Sequence, residues 1–345
     1  MPHRMRLSRY SLPTPVVALA LAVVTSATLA ASDADPFLGR WALTIPGGGA
    51  GWLGVTKENG YYDANILWGG GSVVPVSSVC FEDNTLWLTR VREVKRKDSA
   101  GKVVRTQQVA EAIMARIDGD TMKLTQVNPR DDGEGMSRED FTGKRIPEVP
   151  AKPDLSKVKF GEPIKLFNGK DLTGWRLTDS NAKSGWSVDK GVLVNDPKQE
   201  KDKPHVNYGN LRTDQEFEDF NLTVEMNIAK DENSGIYLRG IYEVQVADTF
   251  GRPLDSHNMG GIYSRITPTV NAEKPAGEWQ TYDITLVDRH VTVILNGKKI
   301  IDNQPLLGCT GGALWSDEFR PGPIYLQGDH TGIHYRNMVL KPVVK

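Results

Sequence analysis

The sequence predicts an all-β chain built in two parts, and three observations predict it. Short runs rich in β-branched and aromatic residues recur between turn signals from residue 36 onward, the pattern of strands in sandwiches and small barrels. No stretch calls for a helix longer than one or two turns. Finally, Pro147, Pro150, Pro153 and Pro163 crowd the segment 146–163. Proline fixes φ and donates no backbone hydrogen bond, so this density excludes a helix interior or a central strand. At roughly 100–200 residues per domain, a chain of 345 residues holds two such units, 36–145 and 164–343, joined by a semi-rigid extended linker.

Taken in order, residues 1–31 read as an export signal rather than as part of the fold. Arg4, Arg6 and Arg9 precede the apolar run 16–24, and small residues follow at Ser26, Ala27, Ala30 and Ala31, as a signal-peptidase site requires. The run is too short to span a hydrocarbon layer of about 30 Å. The expectation is an exported protein, periplasmic or secreted, cleaved near Ala30 or Ala31 and left with no transmembrane anchor.

Residues 36–145 carry β-prone runs at 40–45, 51–56, 61–68, 86–93, 108–117 and 122–127. Turn signals at 58–60, 98–101 and 118–120 punctuate them. This half is expected to form a small β-barrel or sandwich, and its opening Gly39-Arg40-Trp41 is similar to the Gly-x-Trp start of lipocalin-like barrels. The glycine clusters 47–51 and 69–71 lack the Lys-Ser/Thr of a phosphate loop and read as flexible connections.

In the second half, Leu222, Val224, Met226 and Ile228 alternate with polar partners, the mark of a half-buried strand. Runs 282–286 and 290–295 flank Asp288-Arg289, and Asn296-Gly297 is a hairpin turn signal. The result is an antiparallel β-sandwich of jelly-roll type.

Composition excludes several functions. Lys plus Arg number 42 against 43 Asp plus Glu, so there is no basic excess to neutralise nucleic acid. Two cysteines cannot build a disulfide scaffold or a Cys-rich metal site. Cys80 and Cys309 fall in different halves and read as two buried free thiols, with one bridge between them as the alternative. There is no His-Glu-x-x-His, EF-hand or Gly-x-Ser-x-Gly, so neither a metal nor a serine nucleophile is demanded.

The most informative run is 233–248, NSGIYLRGIYEVQVAD. If each half is a strand, Tyr237 and Arg239 share one face, Glu243 and Gln245 share one, and Val244 and Val246 point into the core. An Arg, Glu, Gln and Tyr set lined up on a solvated face suits the hydroxyls of a sugar, or else an ordinary salt-bridged surface. A second run, 324–330, turns Ile324 and Leu326 inward and Tyr325 and Gln327 outward, with Asp329-His330 at its end. Tyr263 and Trp279 stand near turns, as platforms for a pyranose ring or as core.

At this point the sequence resembles the 3-keto-disaccharide hydrolase family. The residues that carry the resemblance are LFNGKDLTGW at 166–175, NSGIYLR at 233–239, and YEVQV at 242–246 with Asp248. GIY at 261–263, GEW at 277–279, LNG at 295–297, LQGDH at 326–330 and YRN at 335–337 follow in the family's order. One departure is Gln280 after Trp279, where the family usually has Asn. The match runs over about 164–343 and implies a concanavalin-like jelly roll acting on glycosides already oxidised to a ketone at C3. Such a ketone acidifies the C2 proton, so a base removes it, the C1 aglycone leaves by β-elimination, and water adds to the enone.

The resemblance implies Glu243 or His330 as base and Arg239, or a divalent cation in its place, at the enolate. Asn233, Gln245 and Gln327 would bind hydroxyls beside Tyr237, while Tyr263 and Trp279 stack on the ring. Asp248, His257 and Asp329 would hold a cation or orient neighbours. The partner is an oligosaccharide or glycoside. Two alternatives stand beside this: a lectin-like module that only binds glycans, and a conventional hydrolase with two catalytic carboxylates.

Overall fold

The computed structural model describes residues 35–130, 133–200, 203–204 and 206–344. The segment 1–31, expected from sequence to be an export signal, lies outside them. Residues from Asp33 to Lys345 form one compact unit, and it is all-β.

The first nine strands are β1 (Gly39–Thr44), β2 (Gly51–Glu58), β3 (Tyr61–Trp68), β4 (Val74–Pro75), β5 (Ser78–Glu82), β6 (Thr85–Lys97), β7 (Val103–Asp118), β8 (Thr121–Pro129) and β9 (Met136–Ile146). They make one antiparallel sheet in the order β4-β3-β2-β1-β9-β8-β7-β6-β5. Its two edges meet through residues 76 and 77. Val76 N donates to Ala64 O of β3 and Ser77 N to Thr89 O of β6, so the sheet curls into a barrel. Trp41 is fully buried, donates Nε1 to Phe37 O, and carries the Arg145 guanidinium over its ring. The predicted turn at 58–60 holds Asn59 and Gly60 at φ of 50° and 85°, the left-handed pair that a tight hairpin needs.

The remaining strands are short at first: β10 (Lys159–Phe160), β11 (Ile164–Lys165), β12 (Trp175–Leu177), β13 (Trp186–Asp189), β14 (Val192–Asn195) and β15 (Leu211–Thr213). Then come β16 (Phe220–Asn227), β17 (Asn233–Leu238), β18 (Tyr242–Ala247), β19 (Gln280–Val287), β20 (His290–Leu295), β21 (Lys298–Pro305), β22 (Tyr325–Leu326) and β23 (Ile333–Val344). One sheet runs β13-β14-β23-β16-β19-β20-β21, with β10 and β11 also pairing with β23. The second runs β12-β15-β22-β17-β18. Together they form the jelly-roll sandwich, closed over a core that includes Leu222, Val224, Met226, Ile236, Val244, Ile284 and Leu326.

The burial pattern separates the two sheets. β16 alternates between buried and half-buried positions, as a strand with one solvated face must. β17 and β18 are buried at nearly every position, so both faces of this hairpin are covered. Ile236, Leu238, Val244 and Val246 face the core, and loops and the barrel cover the other side. Residues 260–263 hydrogen-bond along β18, through Gln245 N to Gly261 O and Tyr263 N to Glu243 O.

Candidate active-site cleft

Tyr237 lies directly opposite Glu243 in the β17–β18 ladder, and Gly235 opposite Gln245. The alternation expected from the sequence therefore holds, but the face it defines is not solvated. Glu243 is 3% exposed and Gln245 4%, and the covered face holds a cleft of about 280 Å³. Its walls include Asn233, Tyr237, Glu243, Tyr263, Gln327, Asp329 and His330, all nominated from sequence. They also include Asn210, Tyr325, Gly311, Gly312 and, from the barrel, Gly70 and Gly71. The volume falls just below the range of most ligand pockets, roughly 300–1,000 Å³.

Glu243 is the centre of the cleft. A Cβ on Gly235 would fall 2.3 Å from Glu243 Oε1, so the carboxyl folds into space that only a glycine leaves open. Burial drives its pKa up to about 8; the Tyr237 hydrogen bond opposes this, and the negative charge of Asp329 adds to it. The contacts agree with a protonated group. Tyr237 Oη lies 2.9 Å from Glu243 Oε2 and 2.8 Å from Gly311 O. One phenol proton serves only one of these acceptors. Both contacts are made when Glu243 carries a proton and donates to Tyr237, which donates to Gly311 O. Tyr325 stacks on Tyr237 with ring centroids 4.1 Å apart and planes 12° apart, and burial pushes both phenols upward, so they stay neutral donors.

The second ionisable pair is Asp329 and His330. His330 Nδ1 lies 2.7 Å from Asp329 Oδ1, which leaves Nε2 free to exchange a proton. That hydrogen bond raises the His330 pKa above the ordinary 6.5 against a smaller opposing effect of burial. For Asp329, burial alone would raise the pKa, but the hydrogen bond and charge of His330 outweigh it and the pKa is lowered. Asn210 Oδ1 fixes the turn by accepting from Gly328 N at 2.7 Å and Asp329 N at 3.2 Å. Asn233 Oδ1 and Gln327 Oε1, both on the walls, are buried with no partner. Unpaired buried acceptors are costly in a folded protein, and these two match the hydroxyl donors of a sugar.

Other nominated residues lie elsewhere. Arg239 does not share the face of Tyr237, because it begins the β17–β18 turn at φ 55°. Its guanidinium donates to the carbonyls of Glu318 and Arg320 and lines a separate recess with Arg289, Glu318 and Phe319. Trp279 lies under the Arg336 guanidinium, 3.8 Å from its ring centroid. Gln280, the departure from the family pattern, bonds Lys274 and Asn296. Gln245 turns its Oε1 to Val246 N and does not line the cleft. Asp248 Oδ2 accepts from Asp231 N, and His257 Nε2 lies 2.9 Å from Ser72 Oγ.

Asp248, His257 and Asp329 thus have separate partners. Among the described residues, no three His, Cys, Asp or Glu side chains group to hold a metal ion. That trio does not fit a cation. Both cysteines are free; Cys309 is buried as expected, but Cys80 is exposed on an edge strand. Among the described residues, no helix is long and apolar enough to cross a membrane.

The family model described as 3-keto-alpha-glucoside-1,2-lyase-like domain matches residues 162–341, which include every cleft residue of the sandwich. The chain belongs to this family. Membership in the 3-keto-alpha-glucoside-1,2-lyase-like family supports a carbohydrate-active enzyme. Among solved structures, a protein of Parabacteroides distasonis ATCC 8503 described as a candidate glycosyl hydrolase is 30% identical. The match covers 56% of this chain and 93% of that one, with a TM-score of 0.43. A second such protein from the same organism is 22% identical, over 53% and 94% of the two chains, at 0.42. A Bacillus licheniformis beta-glucanase is 15% identical, over 55% and 98%, at 0.33. With TM-scores below 0.5, none of these likenesses carries the assignment, which rests on the family match. A search of curated proteins gave no match.

Asn210, Gly311 and Gly312 were missed from sequence, as were Tyr325, Gly70 and Gly71. Tyr325 was read as outward-facing but not as part of a site, although its alternation with Ile324 and Leu326 pointed there. Gly70 and Gly71 gave no signal, because nothing in a local pattern says which distant loop a glycine will face.

Proposed function

We propose that this protein cleaves 3-keto-glycosides, with His330 as the base and Glu243 as the acid. One observation carries the reading: a cleft of one-ring size holds two ionisable groups whose surroundings prepare them for opposite tasks. Buried Glu243 keeps its proton at neutral pH, while His330, whose pKa the Asp329 hydrogen bond raises above the ordinary 6.5, is held through Nδ1 and has its other nitrogen free. A base and an acid tuned in this way each contribute roughly 10²–10⁴-fold.

In the reaction, neutral His330 takes the C2 proton, and the C2–H electrons pass first into the enolate of the C3 ketone. The enolate then forms the C1–C2 double bond as the C1–O bond breaks, and Glu243 gives its proton to the departing oxygen. Water adds back across the enone, hydroxyl to C1 and proton to C2, so the balance is hydrolysis. With Arg239 away from the cleft, the enolate oxygen is left to neutral donors: the Tyr325 hydroxyl and the amides of Asn233 and Gln327. Preorganised donors of this kind are worth about 3 kcal/mol each in comparable sites.

A specific observation also favours the two-carboxylate reading. Asp329 is held low and Glu243 high in one cleft, the split that an ordinary glycosidase uses. The deciding experiment incubates the protein with a 3-keto-glucoside and with its unoxidised parent, each with and without chelator, and follows the released aglycone. Release from the keto sugar alone is expected. Release from the parent would replace this reading with the two-carboxylate one. Binding of both sugars with release from neither would make the protein a glycan-binding module.

A further inference from the structure

The cleft has a wall outside the segment that matches the family. Gly70 and Gly71 belong to the loop between β3 and β4 of the barrel, and the matched residues begin only at 162. Four contacts hold that loop against the sandwich. Gly312 N donates to Gly69 O at 3.2 Å, and Ser72 Oγ lies 2.9 Å from His257 Nε2. Val73 N donates to Ser264 Oγ at 2.8 Å. In the fourth, the backbones of Gly71 and Gly311 meet so closely that a Cβ on Gly311 would fall 2.0 Å from Gly71 O. The loop therefore packs against Gly311, the residue whose carbonyl receives the Tyr237 phenol.

We propose that the barrel is a working part of the sugar cleft, its 69–72 loop forming the wall that sets the size of ligand the cleft accepts. This rests on the reading of the cleft as a sugar site. The glycines explain how the wall works. Gly71 sits at φ 78°, where a side chain is strained, but Gly70 is not in that region. A Cβ on Gly70 meets no atom within 4 Å, so a side chain there has only the cleft mouth and solvent to occupy. The cleft holds one ring because the wall is bare at this position, and it loses that room as the position is filled.

The test is a size series, Gly70→Ala, Gly70→Leu and Gly70→Trp, made in the full chain. Ser99→Trp, on the exposed 98–101 turn of the barrel, is the control. Affinity for a methyl 3-keto-glucoside and for its parent glucoside is measured by calorimetry, separately from turnover, with melting temperature recorded for each variant. The expected result is near wild-type affinity for Ala, a graded loss through Leu, and a loss of about tenfold or more for Trp. Melting temperatures should hold constant and Ser99→Trp should behave as wild type.

Unchanged affinity in both Gly70→Leu and Gly70→Trp would overturn the wall, even if wild type turned the keto sugar over. Loss of binding along the series, with no turnover in wild type, would leave the wall standing and remove the lyase reading. A wild-type protein that bound neither sugar would overturn both. Should Gly70→Trp melt early, Gly70→Leu decides the matter.

Discussion

Glu243 faces Tyr237 across the β17–β18 ladder with 2.9 Å between carboxyl and phenol oxygens, and the pair shares one cleft wall. Burial raises the folded-state pKa of Glu243 from 4.5 to about 8. An acid raised in this way favours the folded state while it is protonated. Its cost accumulates as the pH rises from about 4.5 to about 8, because the unfolded chain ionises first. At about 1.4 kcal/mol per unit, the full cost is on the order of 5 kcal/mol. Glu243→Gln should therefore gain stability relative to wild type as pH is raised from 5 to 9, as measured by denaturant melts at each pH. A difference independent of pH would mean that Glu243 ionises normally.

The same two groups set the pH dependence of turnover. Activity should rise as His330 loses its proton, above the ordinary 6.5, and fall as Glu243 loses its own near 8. Removing the carboxylate in Asp329→Asn takes away the group that raises His330, so the acidic limb should move to lower pH; the alkaline limb should move down less, because the Asp329 charge only adds to the burial that raises Glu243. A pH–kcat/KM profile of both proteins checks this, and an unmoved acidic limb would mean that His330 is not the base.

Gly235 is constrained by a side chain rather than by its own backbone angles. In Gly235→Ala the new methyl would meet Glu243 Oε1, forcing the carboxyl out of its place against Tyr237. The expected cost is about 1–3 kcal/mol of stability, as for other overpacked sites, together with loss of turnover. Melting and kinetics on the one variant measure both, and wild-type turnover would show that the carboxyl position is not needed.

Arg239 and Trp279 test where the site ends. Arg239→Ala leaves the carbonyls of Glu318 and Arg320 without their donor and should lower stability by about 1–3 kcal/mol. Assayed below its melting range, it should keep kcat/KM within a few-fold of wild type. Trp279→Ala should do likewise. A large loss of kcat in either variant at full folding would extend the site beyond the cleft.

The cysteines give a simple structural check. Burial pushes the Cys309 thiol up to about 12, whereas Cys80 is exposed. A maleimide should label one thiol per native chain, at Cys80, and two after unfolding without reductant. No label in the native protein would contradict the exposed edge strand.

Much of the site was legible because it lies in two strands. Period-two alternation lined up Tyr237 with Glu243 and set Gln327 beside Asp329-His330, and the family motifs joined the two runs. Burial was not legible, because a sheet face reads as solvated whenever the covering loops lie far away in sequence. Arg239 was misplaced for a related reason. Alternation was carried one residue too far, past the point where Gly240 allows the chain to turn. The glycines at 70 and 71 read as flexible connections, since their use depends on the backbone of Gly311, some 240 residues later.

Ala50, Trp52, Leu67 and Ile146 belong to the same apolar cluster as the sandwich core, and the Arg265 guanidinium lies 4.1 Å from the Trp52 ring centroid. A fragment cut at the limits of the recognised segment would leave those four residues behind and bare the surface that they cover. The shortest stretch that can be recognised here is thus shorter than the shortest stretch that should be expressed, and cloning boundaries ought to follow the packing rather than the match.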